Sequence, residues 1–136
     1  MALDVGEKTI GVAMSDELGI VASPFDTIQR SASEKAALRQ VAKLVEDYGV
    51  SVVVVGIPIM LNGEEAIQAE KVRTFAEKLA RRIRVPVEPW DERLTTVEAD
   101  RALMESGKRR EERKKSVDKL AAAIILRSYM AARGSS

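Results

Sequence analysis

The chain contains no cysteine and no histidine. The first absence removes disulfides, thiolate metal sites and cysteine nucleophiles together. The second removes the Ser-His-Asp triad, histidine general bases and the usual zinc ligands. There is also no apolar run of about 18 residues, the length a membrane-spanning helix needs. Nor is there a signal-peptide pattern, because Met1 leads directly into an apolar strand-like stretch. These absences predict a cytoplasmic protein with no membrane partner. Its chemistry must come from carboxylates, hydroxyls, lysines and arginines, with a hard metal ion that takes oxygen ligands where a Lewis acid is needed. The formal net charge of +1 gives no global pull towards nucleic acid, so any such preference must be local.

What is present fits one domain. With 46% apolar residues over 136 positions, the chain can bury a sizeable core. The expected domain spans 1–133, with 134–136 as a disordered tail. Residues 2–5 and 10–15 read as two strands joined by a tight turn, Ile10, Val12 and Met14 on one side and Gly11, Ala13 and Ser15 on the other. The stretch from Ile20 to Ile28 carries Pro24 and reads as an edge strand. Ser31-Ala-Ser-Glu34 resembles a capping box, and the helix it opens has Ala37, Val41, Leu44, Val45 and Tyr48 as its apolar face, ending at Gly49. The β-branched run from Val50 to Gly56 predicts a parallel strand covered on both faces. A second helix follows Asn62-Gly63 to about Arg84, with Val72, Phe75, Ala76, Leu79 and Ile83 inward. A short strand then spans Val85 to Trp90. Thr95-Thr-Val-Glu98 opens a third helix closed by Gly107, and an alanine-rich helix runs from Val117 to about Ala132. The fold class is α/β: a five-stranded mixed sheet, three antiparallel strands and then parallel ones, flanked by helices.

Asp4 raises the chemical question, because it interrupts an apolar strand (Ala2, Leu3, Val5). A carboxylate in such a place needs compensation. In open α/β sheets ligands collect beyond the carboxyl ends of the strands, where Asp4 and Glu92 both fall. Asp118, in the first turn of the last helix, shares a side with Ala121 and Ile125 and so belongs where helix meets sheet. Three such carboxylates about 5 Å apart would repel pairwise by roughly 3 kcal/mol at an effective dielectric of about 20. One or two Mg²⁺ or Mn²⁺ ions would relieve that repulsion. Plainer roles exist for each: Asp4 as a turn residue before Gly6, Glu92 paired with Arg93, and Asp118 as a partner of the helix macrodipole. Asp16, Asp26 and above all Asp91 are alternative acids. The choice between Asp91 and Glu92 depends on one residue of strand register.

Three stretches, DVGEKTIGVAMSD near the start, WDERLTTVEA at 90–99 and VDKLAAAIILRSYM at 117–130, with GIPIMLNG at 56–63 between them, together resemble the RuvX/YqgF family of pre-16S rRNA nucleases and Holliday-junction-resolvase-like proteins. The likeness covers essentially the whole chain. It implies a ribonuclease H-like fold, divalent-metal phosphodiester cleavage, and an acidic triad at Asp4, Glu92 and Asp118. Position 9, often basic in that family, is Thr9 here, so a phosphate contact is expected to be missing. GIPIMLNG is bulkier in its middle than the commoner form. The resemblance implies either structured RNA or branched DNA as substrate.

Local charge supports a nucleic-acid partner. Gly107 to Lys115 holds six basic residues (Lys108, Arg109, Arg110, Arg113, Lys114, Lys115) against two acidic ones, immediately before Asp118. As a flexible segment beside a metal site it suits a phosphate backbone; as a solvated charged loop or an extension of the last helix it needs no ligand. Lys8 and Arg93 are further candidates for phosphate contacts, whereas Trp90 is expected to pack against the protein. Cleaving a symmetric junction would favour a homodimer. Two other functions are open at this level. One is a non-catalytic nucleic-acid-binding module of the same fold. The other is an actin-like phosphate-binding ATPase, opposed by the single-domain length and by the lack of a Walker sequence.

Overall fold

A computed structural model describes residues 1–31, 33–58, 63–91 and 110–134, except for the side chains of 63–65, 110–117 and 134. The chain begins with β1 (Ala2–Val5), β2 (Thr9–Ser15) and β3 (Ala22–Gln29), followed by α1 (Glu34–Asp47), β4 (Val53–Ile57), α2 (Gly63–Arg82), β5 (Val87–Asp91) and α3 (Arg110–Gly134). The five strands form one sheet in the order β3-β2-β1-β4-β5. β1, β2 and β3 pair antiparallel, and β4 joins β1 and then β5 in parallel. This is the expected mixed sheet. The helix expected over 95–107 lies outside the described residues.

Side-chain alternation divides the strands between two different cores. Leu3, Val5, Ile10, Val12, Val53, Val55 and Ile57 point to one face, where they meet Leu38 and Val41 of α1 and Phe75 and Leu79 of α2. Each such side chain contributes roughly 2 kcal/mol when fully buried. Ala2, Ala13 and Val54 point to the other face, against Ala122, Ala123, Ile125 and Leu126 of α3. One face therefore carries branched bulk and two helices, and the other mostly small residues and one alanine-rich helix. That second face lets a helix backbone come close to the sheet.

The edges and caps follow from local chemistry. Both edge strands carry a proline, Pro24 in β3 and Pro89 in β5, which removes a donor from each exposed edge. Val12 faces Asp26 and Ala13 faces Pro24, so Phe25 is the extra residue of a β-bulge. Ser33, not Ser31, caps α1: its hydroxyl accepts the Ala36 N–H at 3.0 Å. Tyr48 is the C-cap rather than a core residue and lies 58% exposed, edge-on to Phe25, while Leu38 takes a buried place on α1. Gly49 follows in the left-handed region at φ 59°, where an L side chain is strained.

The largest departure is at α3. It begins at Arg110 and not Val117, so the run expected to be flexible is helical from 110 onward. Asp118 consequently stands in the third turn rather than the first. The helix macrodipole acts within the terminal turn and does not account for a carboxylate there. At its other end α3 includes Gly134, which was expected in the tail; 135 and 136 lie outside the described residues.

Candidate active site

The site is built on the small-residue face. Asp4 pairs directly with Gly11 across the β1–β2 ladder, and cross-strand partners project to the same side of a sheet. Since Ala2 and Ala13 face α3, so do Asp4, Gly11 and Thr9. Asp4 is half-buried there. α3 crosses immediately above Gly11: a β-carbon on that glycine would stand 2.0 Å from the Asp118 carbonyl oxygen and 2.8 Å from the Lys119 nitrogen. Only hydrogen fits between strand and helix. The backbone of Asp118 is thus seated beside Asp4, although the two lie near opposite ends of the sequence. The Asp118 side chain, half-buried, is tied to the same strand because the Thr9 hydroxyl donates to its Oδ2.

The competing acids are employed elsewhere. Asp16 Oδ1 accepts the N–H groups of Ile20 and Val21 at 2.7 and 2.9 Å, closing the β2–β3 loop. The bond from Val21, followed by other backbone N–H groups, holds the carboxyl below its ordinary range. Asp26 Oδ1 accepts from the next residue, Thr27, at 2.8 Å on the exposed edge. Asp91, at the carboxyl end of β5, pairs with Ile57 and so stands on the α1/α2 face, away from Asp4 and Asp118. Trp90 is on the α3 face as expected of a packing aromatic. Its Nε1 donates to Ser128 Oγ at 3.1 Å, and its ring lies edge-to-face with Tyr129 at 5.3 Å.

A family model described as RuvX, Holliday junction resolvase, matches residues 1–132. The chain belongs to the RuvX family. Among curated relatives, one from Desulforudis audaxviator is 45% identical over 135 residues, covering 99% of this chain and 95% of its own. One from Lachnospira eligens is 48% identical over 132 residues, covering 96% and 94%. Both carry the name "Putative pre-16S rRNA nuclease". Among solved structures, Thermus thermophilus RuvC in complex with a Holliday junction substrate superposes with a TM-score of 0.61 at 17% identity, over 98% of this chain and 94% of that one. The Fowlpox virus resolvase, solved with Holliday junction DNA, gives 0.56 at 14% identity, over 96% and 95%. At such identities the likeness concerns the fold, which is ribonuclease H-like.

Within this RuvX-family fold, the backbone of Asp118 docks over Gly11, the strand partner of Asp4, and Thr9 bonds the Asp118 carboxylate. Glu92, Arg93, Lys108 and Arg109 lie outside the described residues. Arg110, Arg113, Lys114 and Lys115 are on α3 within the turns that precede Asp118, with their side chains outside the description. Lys8 is exposed in the β1–β2 turn, which closes with Gly6 N–H donating to the Thr9 carbonyl at 2.8 Å. Among the described residues no three Asp or Glu side chains are close enough to hold a metal ion together. Two of the three expected acids are described, and their neighbour is a hydroxyl. All these donors are hard oxygens, the set that suits Mg²⁺ or Mn²⁺. The roles of Thr9 and Gly11 were not read from the sequence. An isolated glycine inside a strand is a signal of close backbone approach, and Gly11 was such a glycine.

Proposed function

We propose that this chain is a divalent-metal-dependent endonuclease that hydrolyses phosphodiester bonds in structured nucleic acid, with Asp4, Glu92 and Asp118 as its metal-holding acids. The observation that carries the reading is the seating of Asp118 over Gly11, directly beside Asp4, on a face from which Asp91 is turned away. Glu92 is the remaining acid of its pair and shares the even parity of Glu88 and Trp90 along the sequence. The relatives' names support precursor 16S rRNA as substrate, and the family description supports Holliday junctions; cytoplasmic processing of that RNA at its 5′ end is the role we favour. Among the described residues no helix is long and apolar enough to cross a membrane.

The chain's own residues supply placement and charge. Asp4 is fixed in β1 by its pairing with Gly11 of β2, and Asp118 by the close docking of α3 and by Thr9. One or two Mg²⁺ or Mn²⁺ ions held by the three carboxylates would supply an activated water and neutralise charge on the departing oxygen. Lys8 in the turn, Arg93, and the basic residues from Lys108 to Lys115 would hold the phosphate backbone against that site.

The test is a panel of a precursor-16S RNA fragment, a four-way DNA junction and linear duplexes, incubated with Mg²⁺ or Mn²⁺. Site-specific cutting of one structured substrate is expected. Tight, salt-sensitive binding without metal-dependent cutting of any of them would identify a non-catalytic module instead. In the same assay, changing Arg113, Lys114 and Lys115 together to glutamine is expected to lower the slope of log affinity against log salt by about 2 to 3, since each duplex phosphate contact contributes about 0.9. A slope equal to that of the unaltered protein would take these residues out of the interface.

A further inference from the structure

We infer that Thr9 is a positioning residue for Asp118: its hydroxyl fixes one carboxylate oxygen so that the other is presented to the cation. This rests on the nuclease reading above and assigns a task to a position that the sequence suggested only as a missing phosphate contact. The geometry is specific. Thr9 and Gly11 are two apart on β2 and share the α3 face. Gly11 admits the backbone of α3 at Asp118, and Thr9 engages the side chain of that same residue at Oδ2. Strand and helix therefore grip Asp118 at two points, backbone and carboxylate, while Asp4 sits across the ladder from Gly11.

The chemistry favours a hydroxyl in this role. A neutral donor orients a carboxylate while leaving its full negative charge available to a metal, whereas a lysine or arginine would neutralise that charge and compete with the ion. Threonine is also stiff about χ1, so its oxygen is held where the backbone puts it. Hydrogen-bonding partners behind metal ligands typically change metal affinity by about 10- to 100-fold when removed.

The experiment is a titration of the full chain with Mn²⁺, followed by water-proton relaxation and calorimetry, beside melting curves without metal. Thr9→Val keeps the side-chain shape and removes the donor; it is expected to weaken Mn²⁺ binding about 10- to 100-fold. Thr9→Ser, which restores the hydroxyl, is expected to bind within a few-fold of the unaltered protein. If Thr9→Val does not fold, Thr9→Ser against Thr9→Ala makes the same comparison, with the same expected ratio. Asp118→Asn and Asp4→Asn run in parallel. Loss of Mn²⁺ binding in those two with normal binding in Thr9→Val would overturn the role of Thr9 and leave the site standing. Normal binding in all of them would overturn the site itself.

Discussion

Asp4→Asn is expected to lower metal-dependent cleavage by about three orders of magnitude, while leaving the protein folded. The substitution keeps the size of the side chain and one acceptor oxygen, and removes the charge. Metal stabilisation of a reacting phosphodiester is worth several kcal/mol, and about 4 kcal/mol corresponds to roughly 10³ in rate. The effect should fall on kcat rather than on substrate affinity, because the basic residues that bind phosphate are left intact. Single-turnover cleavage at saturating enzyme, with a melting curve beside it, measures this. A folded variant that cuts within a few-fold of the unaltered protein would remove Asp4 from the chemistry.

Gly11→Ala is the second large effect, and its sign is diagnostic. On an open strand, replacing glycine by alanine restricts the unfolded chain and adds some stability where the backbone conformation permits. Here the added methyl would meet the Asp118 carbonyl at 2.0 Å, a distance no real β-carbon tolerates against backbone. The helix must lift or the strand must bend. Overpacking of this kind costs about 1–3 kcal/mol, which chemical denaturation resolves. The displacement carries Asp118 away from Asp4 and from Thr9, so cleavage should fall well beyond what the remaining folded fraction explains. Unchanged or increased stability would mean that α3 does not dock on β2 as described.

Much of this arrangement was legible in the residues, and the failures have physical causes. Alternation in β2 correctly put Gly11 and Ala13 on one side and Ile10 and Val12 on the other, because each face meets a different kind of neighbour. The continuous valine run of β4 marked a strand covered on both faces, and all five of its residues are buried. Pro24 marked an edge. The start of α3 was misplaced because apolar periodicity begins only at Val117. The preceding Arg, Glu and Lys residues are good helix formers, and Glu111 stands four positions before Lys115, a spacing that supports a helix without any buried face. Leu38 stands three positions before Val41 and seven before Val45, so helical spacing does place it on the buried stripe of α1, whereas Tyr48 fits the same spacing yet leaves the stripe because the helix ends there.

The site divides in the same way. Asp4 was conspicuous because it breaks an apolar pattern. Asp118 could be put at a helix–sheet boundary, but its partner strand could not be named, since that depends on packing between residues at opposite ends of the chain. The hydroxyl of Thr9 and the bare α-carbon of Gly11 act only through that packing. The ambiguity between Asp91 and Glu92 needed one fact, the register of β5 against β4, and the pairing of Ile57 with Asp91 supplies it for Asp91.

The central claim is that acids remote in sequence share one divalent cation on the small-residue face of the sheet. Anomalous diffraction from crystals grown with Mn²⁺ tests it most directly. The expected result is a manganese peak within about 2.0–2.4 Å of carboxylate oxygens from both Asp4 and Asp118, with Glu92 as the third acid. A peak bound elsewhere, with the Asp4 and Asp118 carboxylates turned apart and holding nothing between them, would contradict it.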